Sequence, residues 1–364
     1  MTRIAIFCDG TWNSSDIDET TSVYKLQDLL ENDPTKGQVC AYFAGIETDD
    51  RFDNGLQKFF NRWGGGVFGW GLDGKVKQAY QFFCQAYQPN DEIYLFGFSR
   101  GAYTARSVAG MIRKCGLIDN PTTERINEAF ALYRKKGANN GPDQPHIMSE
   151  RKRLSPRFAT LAKDAASRGG GDIVKIAYMG VFDTVGAHGM PPSILGPIAI
   201  AWNSQYQFHD MALSSLVKSA RHALAIDERR VFYVPAKWDN LDNEGGKEGL
   251  NKGDTGQLWP FQQIWFTGDH GVIGGSAAEQ PLSAIALEWM VQGAGRLTLK
   301  ACATFPPTAA NPLHPSDRFK GSWALLKKWR AGPSSEAEMH PSVRTRVNSL
   351  SDYRPRSLHK IFNG

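Results

Sequence analysis

Short runs of alternating and continuous apolar residues, separated by stretches with apolar positions three and four apart, set the rhythm of the first 115 residues. Arg3 to Cys8 is an apolar run stopped by Asp9-Gly10-Thr11 and reads as a strand. Thr21 to Glu31 places Val23, Leu26, Leu29 and Leu30 on one helical face. Gln38 to Phe43 predicts a second strand, Lys75 to Tyr87 a helix, Glu92 to Phe98 a third strand and Arg100 to Met111 a helix that follows it at once. Strands alternating with helices in this way build a mostly parallel sheet with helices on both faces.

The pattern changes at Pro121. From there to Gly171 the chain is polar, charged and helical, with Ala129, Leu132 and Tyr133 at helical spacing, which predicts a cap-like helical insertion over about 121–171. The core resumes with an apolar run from Asp172 to Phe182, ending in Asp183-Thr184-Val185-Gly186. Met190 to Trp202 is apolar but broken by proline, and reads either as a packed loop or as an apolar lip. Asp210 to Ile226 predicts a helix, Arg230 to Val234 a short strand, Asn240 to Gly256 a polar loop, Gln262 to Thr267 a strand and Leu282 to Gln292 an amphipathic helix. Beyond Phe305 the sequence is proline-broken. The expected organisation is one catalytic domain over 1–312 and an irregular basic extension over 313–364, packed on the domain or trailing from it.

Composition adds limits to this picture. Apolar residues make up 41% of the 364 and charged residues 22%, enough to build a core and too little charge for a disordered chain. The net charge of +5 is uneven, because Pro315 to Gly364 carries ten Lys or Arg against four Asp or Glu. That excess reads as a solvated tail or as contact with an anionic membrane surface; no arginine-rich block or aromatic-basic repeat supports nucleic acid. Cys8, Cys40, Cys84, Cys115 and Cys302 are scattered, without a CxxC pair, and read as reduced thiols. No His, Cys and carboxylate cluster has metal-ligand spacing, so neither metal nor cofactor is expected. The sequence opens directly on a strand, without a signal-peptide pattern or an apolar run of membrane-spanning length, and predicts synthesis in the cytoplasm.

The candidate chemistry centres on Gly97-Phe98-Ser99-Arg100-Gly101. A GxSxG pentapeptide alone is a weak indication, but this one sits where the apolar strand Ile93-Tyr94-Leu95-Phe96 meets a helix rich in alanine. That strand-serine-helix turn strains the serine backbone and presents the hydroxyl at the carboxyl edge of the sheet, with the Arg100 N–H at the positive end of the new helix. Ser99 is therefore the candidate nucleophile and the Arg100 N–H an oxyanion donor. A serine needs a base, and the base an acid, in the chain order Ser, Asp or Glu, His. Asp183 directly follows a strand and fits the acid, with Asp269 as a substitute. His270 follows a strand downstream of both and fits the base, with His314 and His340 as alternatives, while His222 reads as a packed or surface histidine. The Asp9-Gly10-Thr11 turn supplies a second oxyanion donor through Gly10 and Thr11, or is an ordinary turn. Gly69 to Gly74 matches GxGxxG literally, but another glycine-rich loop stands where the required strand should be.

Several blocks together resemble the catalytic domain of type VI secretion lipase effectors, an α/β-hydrolase group. They are Phe7-Cys8-Asp9-Gly10-Thr11-Trp12-Asn13, Phe68-Gly69-Trp70-Gly71-Leu72, the elbow Gly97 to Arg106, Gly180 to Gly186, Arg221 to Arg229 and Tyr353-Arg354-Pro355. The resemblance implies an α/β-hydrolase fold, Ser99, Asp183 and His270 as a triad, and phospholipase activity on membrane glycerophospholipids. Export by a type VI secretion system, with a secretion apparatus or an immunity protein as partner, is a further expectation, while secretion as a toxin does not follow from the resemblance. One departure stands out. The family pattern places an Asp two positions after the histidine, where this chain has Val272. An esterase or thioesterase acting on soluble substrates, and a silent binding module on the same fold, are the competing expectations.

Overall fold

The computed structural model describes residues 1–10, 20–45, 67–185, 212–231, 233–243, 248–254, 260–310 and 327–362, with backbone alone over 67–70. Six parallel strands form the central sheet: β1 (Arg3–Cys8), β2 (Gln38–Phe43), β3 (Glu92–Phe98), β6 (Ile176–Phe182), β7 (Ala220–Ala225) and β8 (Phe261–Phe266). Their spatial order is β2-β1-β3-β6-β7-β8, and each neighbouring pair is parallel. The order reverses direction beside β1 and β3, so the carboxyl ends of those strands open onto a crevice of the kind that holds ligands in doubly wound sheets.

Alternation within each strand sorts side chains to two faces. Ile4, Ile6 and Cys8 of β1 point to one core with Ile93, Leu95, Met179 and Val181, covered by α2 (Val67–Ala86) and α3 (Arg100–Cys115). Ala5 and Phe7 point to the other with Tyr94, Phe96 and Phe182, covered by α1 (Ser22–Leu29), α7 (His270–Gly274) and α8 (Gln280–Gly293). The expected parallel sheet with helices on both faces is what the chain forms. At α1, Thr21 caps the first turn by accepting the Tyr24 N–H at 3.2 Å, and Val23, Leu26 and Leu29 are buried as the 3.6-residue period requires.

The segment 121–173 carries α4 (Thr123–Arg134), α5 (Pro145–Leu154), α6 (Ala162–Ser167) and a two-stranded parallel pair, β4 (Phe158–Ala159) with β5 (Asp172–Ile173). Its anchor is a buried ion pair between Arg151 and Asp164 at 3.0 Å, with Arg151 also donating to the Arg113 and Pro142 carbonyls. Arg113 and Lys114 lie in the last turn of α3, about 20 Å of helix away from Ser99, so this anchor is far from the elbow.

Three expectations change. Residues 220–225 are a central strand, although Asp210 to Ile226 predicts a helix; alanine favours helix locally, but the slot between β6 and β8 demands a strand buried on both faces. Arg230 to Val234 forms no strand among its described residues, and Arg230 pairs instead in an isolated bridge with Lys327. The predicted irregular extension contains α9 (Pro341–Ser349) and α10 (His359–Phe362). Met339, Val343, Val347 and Leu358 pack there on Leu224, Ile226 and Trp265 of the β7–β8 region. Of its arginines, Arg330 and Arg346 are buried, Arg346 donating to the Ala310 carbonyl, whereas Arg344, Arg354 and Arg356 remain exposed, so the extension keeps a basic outer surface. Thr11, His314 and the apolar stretch from Met190 to Trp202 lie outside the described residues.

Candidate active site

The elbow is built by two glycines. A Cβ on Gly97 would come within 2.5 Å of the Gly101 carbonyl oxygen, and one on Gly101 would overlap the Cys8 carbonyl at the end of β1. Only glycine lets the chain turn from β3 into α3 this tightly against β1. Between them Ser99 takes φ 56° and ψ −117°, a strained conformation for a residue with a side chain, and caps α3 without using its hydroxyl. The hydroxyl is thereby left for His270, whose Nε2 lies 2.9 Å from Ser99 Oγ.

His270 opens α7 immediately after β8. Its Nδ1 lies 2.6 Å from Asp183 Oδ2, which requires the tautomer protonated on Nδ1 and leaves Nε2 as an acceptor toward Ser99. Asp183 itself stands just past β6 at φ 37°. Three residues from three strand ends thus form one hydrogen-bonded line, with Ser99 2%, Asp183 0% and His270 4% exposed. The imidazole is walled by Phe98 and Tyr233, each with its ring centroid 4.7 Å away.

Burial pushes the His270 pKa below the usual histidine value, against the opposing pull of Asp183, so the ring is neutral at neutral pH and able to accept a proton. Burial alone would raise the Asp183 carboxyl. The Arg330 guanidinium and then His270 outweigh it and hold the carboxyl well below the ordinary range.

Arg330 is the residue the sequence did not disclose. Its Nη1 lies 2.6 Å from Asp183 Oδ1 and its Nη2 2.9 Å from Oδ2, a bidentate pair. The remaining Asp183 bond comes from the Ala225 N–H at 3.0 Å. In sequence Arg330 stands in Lys327-Lys328-Trp329-Arg330 and looks like one more charge of a basic tail.

The loop carrying His270 is ordered without the Asp that the family pattern has two positions on. Asp227 Oδ2 accepts the Gly268 N–H at 2.7 Å, Glu228 Oε2 accepts the His270 N–H at 3.2 Å, and Asp269 caps α7 through the Val272 N–H at 3.0 Å. Glu228 is kept ionised, its pKa drawn down to about 2 by Arg230 despite burial. Val272 fills the space beside Gly268 with buried hydrocarbon. Asp269 is therefore occupied as a cap, and the acid facing His270 Nδ1 is Asp183.

The other candidates separate clearly. His222 sits in β7, buried, where Nε2 accepts the Thr184 N–H at 3.1 Å and Nδ1 meets Gln263 Oε1 at 3.0 Å. His340 caps α9 with its ring stacked on Phe266, and meets Ser342 rather than Ser99. Gly10 does lie against Ser99, since a Cβ there would be 3.1 Å from that of Ser99. Its N–H, however, donates to Asp9 Oδ1 at 2.7 Å and is not turned toward an oxyanion in this structure. Asp9 is itself buried, accepting also from the Thr21 and Tyr42 hydroxyls at 2.5 Å, and burial raises its carboxyl pKa in spite of those bonds. The Arg100 N–H opens the first turn of α3, where no intrahelical acceptor exists. Among the described residues no group of three or more His, Cys, Asp or Glu converges as a metal site would, and no helix is long and apolar enough to cross a membrane.

Sheet order, elbow and strand-end residues define an α/β-hydrolase-like protein. The chain belongs to the family described as T6SS, phospholipase effector Tle1-like, catalytic domain, whose family model matches residues 2–293. It is 31% identical over 239 residues to the uncharacterized protein YEL023C of Saccharomyces cerevisiae, covering 63% of this chain and 31% of that protein. Among solved structures it is similar to an uncharacterized protein from Pseudomonas aeruginosa, with TM-score 0.40 and 17% identity over 80% of this chain and 45% of that one. It is also similar to the Tle1 effector bound to the VgrG spike of the type 6 secretion system, with TM-score 0.40 and 18% identity over 76% of this chain and 51% of that one. The chain thus spans about a third of the yeast relative's length and about half of each solved neighbour.

Proposed function

We propose that this chain hydrolyses carboxylic ester bonds of lipids, phospholipids foremost, through an acyl-enzyme on Ser99. The observation that carries the reading is the continuous line from Ser99 Oγ to His270 Nε2 at 2.9 Å and from His270 Nδ1 to Asp183 Oδ2 at 2.6 Å. Membership of a phospholipase-effector family supplies the substrate class.

In the first step Ser99 Oγ attacks the ester carbonyl carbon while its proton passes to His270 Nε2. Asp183 holds the Nδ1–H and stabilises the imidazolium. The negative charge that develops on the carbonyl oxygen is met by the Arg100 N–H, aided by the positive end of α3. Collapse breaks the ester C–O bond, and the leaving alcohol takes the proton from His270. Water then repeats the sequence, donating a proton to His270 and releasing the carboxylic acid with Ser99 restored. Gly10 lets a carbonyl approach Ser99 closely, and the Thr11 N–H is the second proposed oxyanion donor in the same turn. Export through a type VI secretion apparatus, with a spike protein as carrier and an immunity protein as inhibitor, belongs to this reading on the strength of the family.

The test is product analysis on a mixed panel of phospholipid vesicles and monomeric soluble esters. The reading expects released fatty acid and lysophospholipid from vesicles with wild type and none with Ser99→Ala. Turnover confined to soluble esters would replace the lipid assignment with a general esterase.

A further inference from the structure

Asp183 has no exposed surface, and its two oxygens receive four donors: Ala225 N and Arg330 Nη1 on Oδ1, His270 Nδ1 and Arg330 Nη2 on Oδ2. A buried carboxylate whose neighbouring histidine is neutral lacks a counter-charge, and burial favours its protonated form. A protonated Asp183 could neither fix the His270 tautomer nor stabilise an imidazolium. Arg330 supplies the full positive charge in contact with it, in a fork that matches both oxygens and fixes the plane of the carboxylate.

The same guanidinium reaches further. It donates to the Ala225 carbonyl at 3.1 Å and to the Tyr233 carbonyl at 2.6 Å. Tyr233 is one of the two rings against His270, so Arg330 ties together the acid and one wall of the imidazole pocket. Anchoring of residues 327–362 does not explain this arrangement. That segment is already held by the apolar cluster of Met339, Val343, Val347 and Leu358 and by Tyr353, whose hydroxyl donates to Asp227 at 3.0 Å. Arg330 also lies outside residues 2–293, the span the family model matches.

We propose that Arg330 is a positioning residue of the hydrolytic site: it grips Asp183 by both oxygens and makes a segment beyond the matched span part of the machinery. The inference rests on the serine-hydrolase reading above. The charged and titratable groups facing the Asp183–His270 pair are Arg330, Arg230, Glu228 and His222, with the Tyr233 ring against the imidazole. Removing Arg330 deletes the cation in contact with Asp183, so both the carboxyl and the imidazole hold their protons to higher pH.

The experiment compares wild type, Arg330→Met and Arg330→Lys. For Arg330→Met the expected kcat is about 100-fold lower, since misplacement of the reacting groups on the ångström scale costs that much. KM should change little, and the acid limb of kcat/KM should move up by about 1 to 3 pH units. Arg330→Lys keeps the charge without the fork and should recover part of the rate and part of the shift. His270 is titrated in parallel by NMR in Ser99→Ala backgrounds with and without Arg330→Met, where the predicted upward shift is read without any turnover. Failure of wild type to be labelled by a fluorophosphonate would remove the hydrolase reading, while the NMR titration would still decide whether Arg330 sets the state of the pair. A folded Arg330→Met protein with wild-type kcat, an unmoved acid limb and an unmoved His270 titration overturns the proposal. If Arg330→Met does not fold, Arg330→Lys decides: an upward-shifted limb supports it, and an unmoved limb at wild-type rate overturns it.

Discussion

Replacing Asp183 by Asn changes the chemistry of both terminal atoms and separates the energetic from the catalytic role of this carboxylate. Asparagine keeps one acceptor oxygen and turns the other position into an NH2 group. In the folded protein both positions face donors, so at least two of the four bonds to Asp183 become donor against donor. Arg330, itself buried, loses the carboxylate in contact with it. Breaking a buried ion pair from one side costs about 3–5 kcal/mol, a large part of the roughly 5–15 kcal/mol that holds a domain folded. For a chain of this size that corresponds to a thermal midpoint lower by roughly 4–7 °C. Catalysis should suffer separately, because an Asn at this position favours the wrong imidazole tautomer, and the expected loss in kcat is on the order of 10⁴. Calorimetry and initial-rate kinetics on the same preparation read the two effects. An Asp183→Asn protein that melts within about 2 °C of wild type and keeps kcat within about tenfold would refute the four-donor description of Asp183.

Two further outcomes follow from buried groups. His222 has its pKa lowered from 6.5 to about 3 by burial and by Arg106, so the unfolded chain binds more protons than the folded one throughout that window. Stability is therefore full above pH 6.5 and lost as pH falls toward 3; Glu228, lowered from 4.5 to about 2, adds to the loss at the acid end. Urea midpoints measured from pH 8 to 3 should fall steadily below 6.5, and a His222→Asn protein, though less stable overall, should show a flatter upper part of the curve. A Cβ at Gly101 meets the Cys8 carbonyl, which is backbone of a central strand and cannot step aside. Gly101→Ala is expected to cost about 1–3 kcal/mol or more and to slow labelling of Ser99, read by denaturation and by probe kinetics; a variant with wild-type stability would contradict the close approach of β1 to the elbow.

How far the sequence discloses this molecule depends on whether a feature is local. The apolar run of β1, the capped apolar face of α1 and the strand-glycine-serine-helix turn are local, and each forms where its pattern says. Asp183 and His270 are legible because the fold places such residues at strand ends, and both stand just past the strands whose apolar runs precede them. β7 is not legible: Ala220 to Ala225 is alanine-rich and lacks a period of two, and its strand conformation is imposed by the partners on either side. Arg330 is less legible still, since its contact with Asp183 spans 147 residues and no spacing rule links them. The Asp9-Gly10 turn is visible in the sequence, but the bond from the Gly10 N–H to the preceding carboxylate depends on Tyr42 and Thr21 holding that carboxylate in place.

In the proposed mechanism Ser99 is a nucleophile activated through His270 and Asp183. Treating the folded protein with a fluorophosphonate and mapping the adduct by peptide mass spectrometry asks whether it is. A single phosphonylated peptide carrying Ser99 is expected, absent in Ser99→Ala and formed far more slowly in Asp183→Asn. An adduct of equal yield in Ser99→Ala, or a folded wild type that takes up no probe, would contradict it.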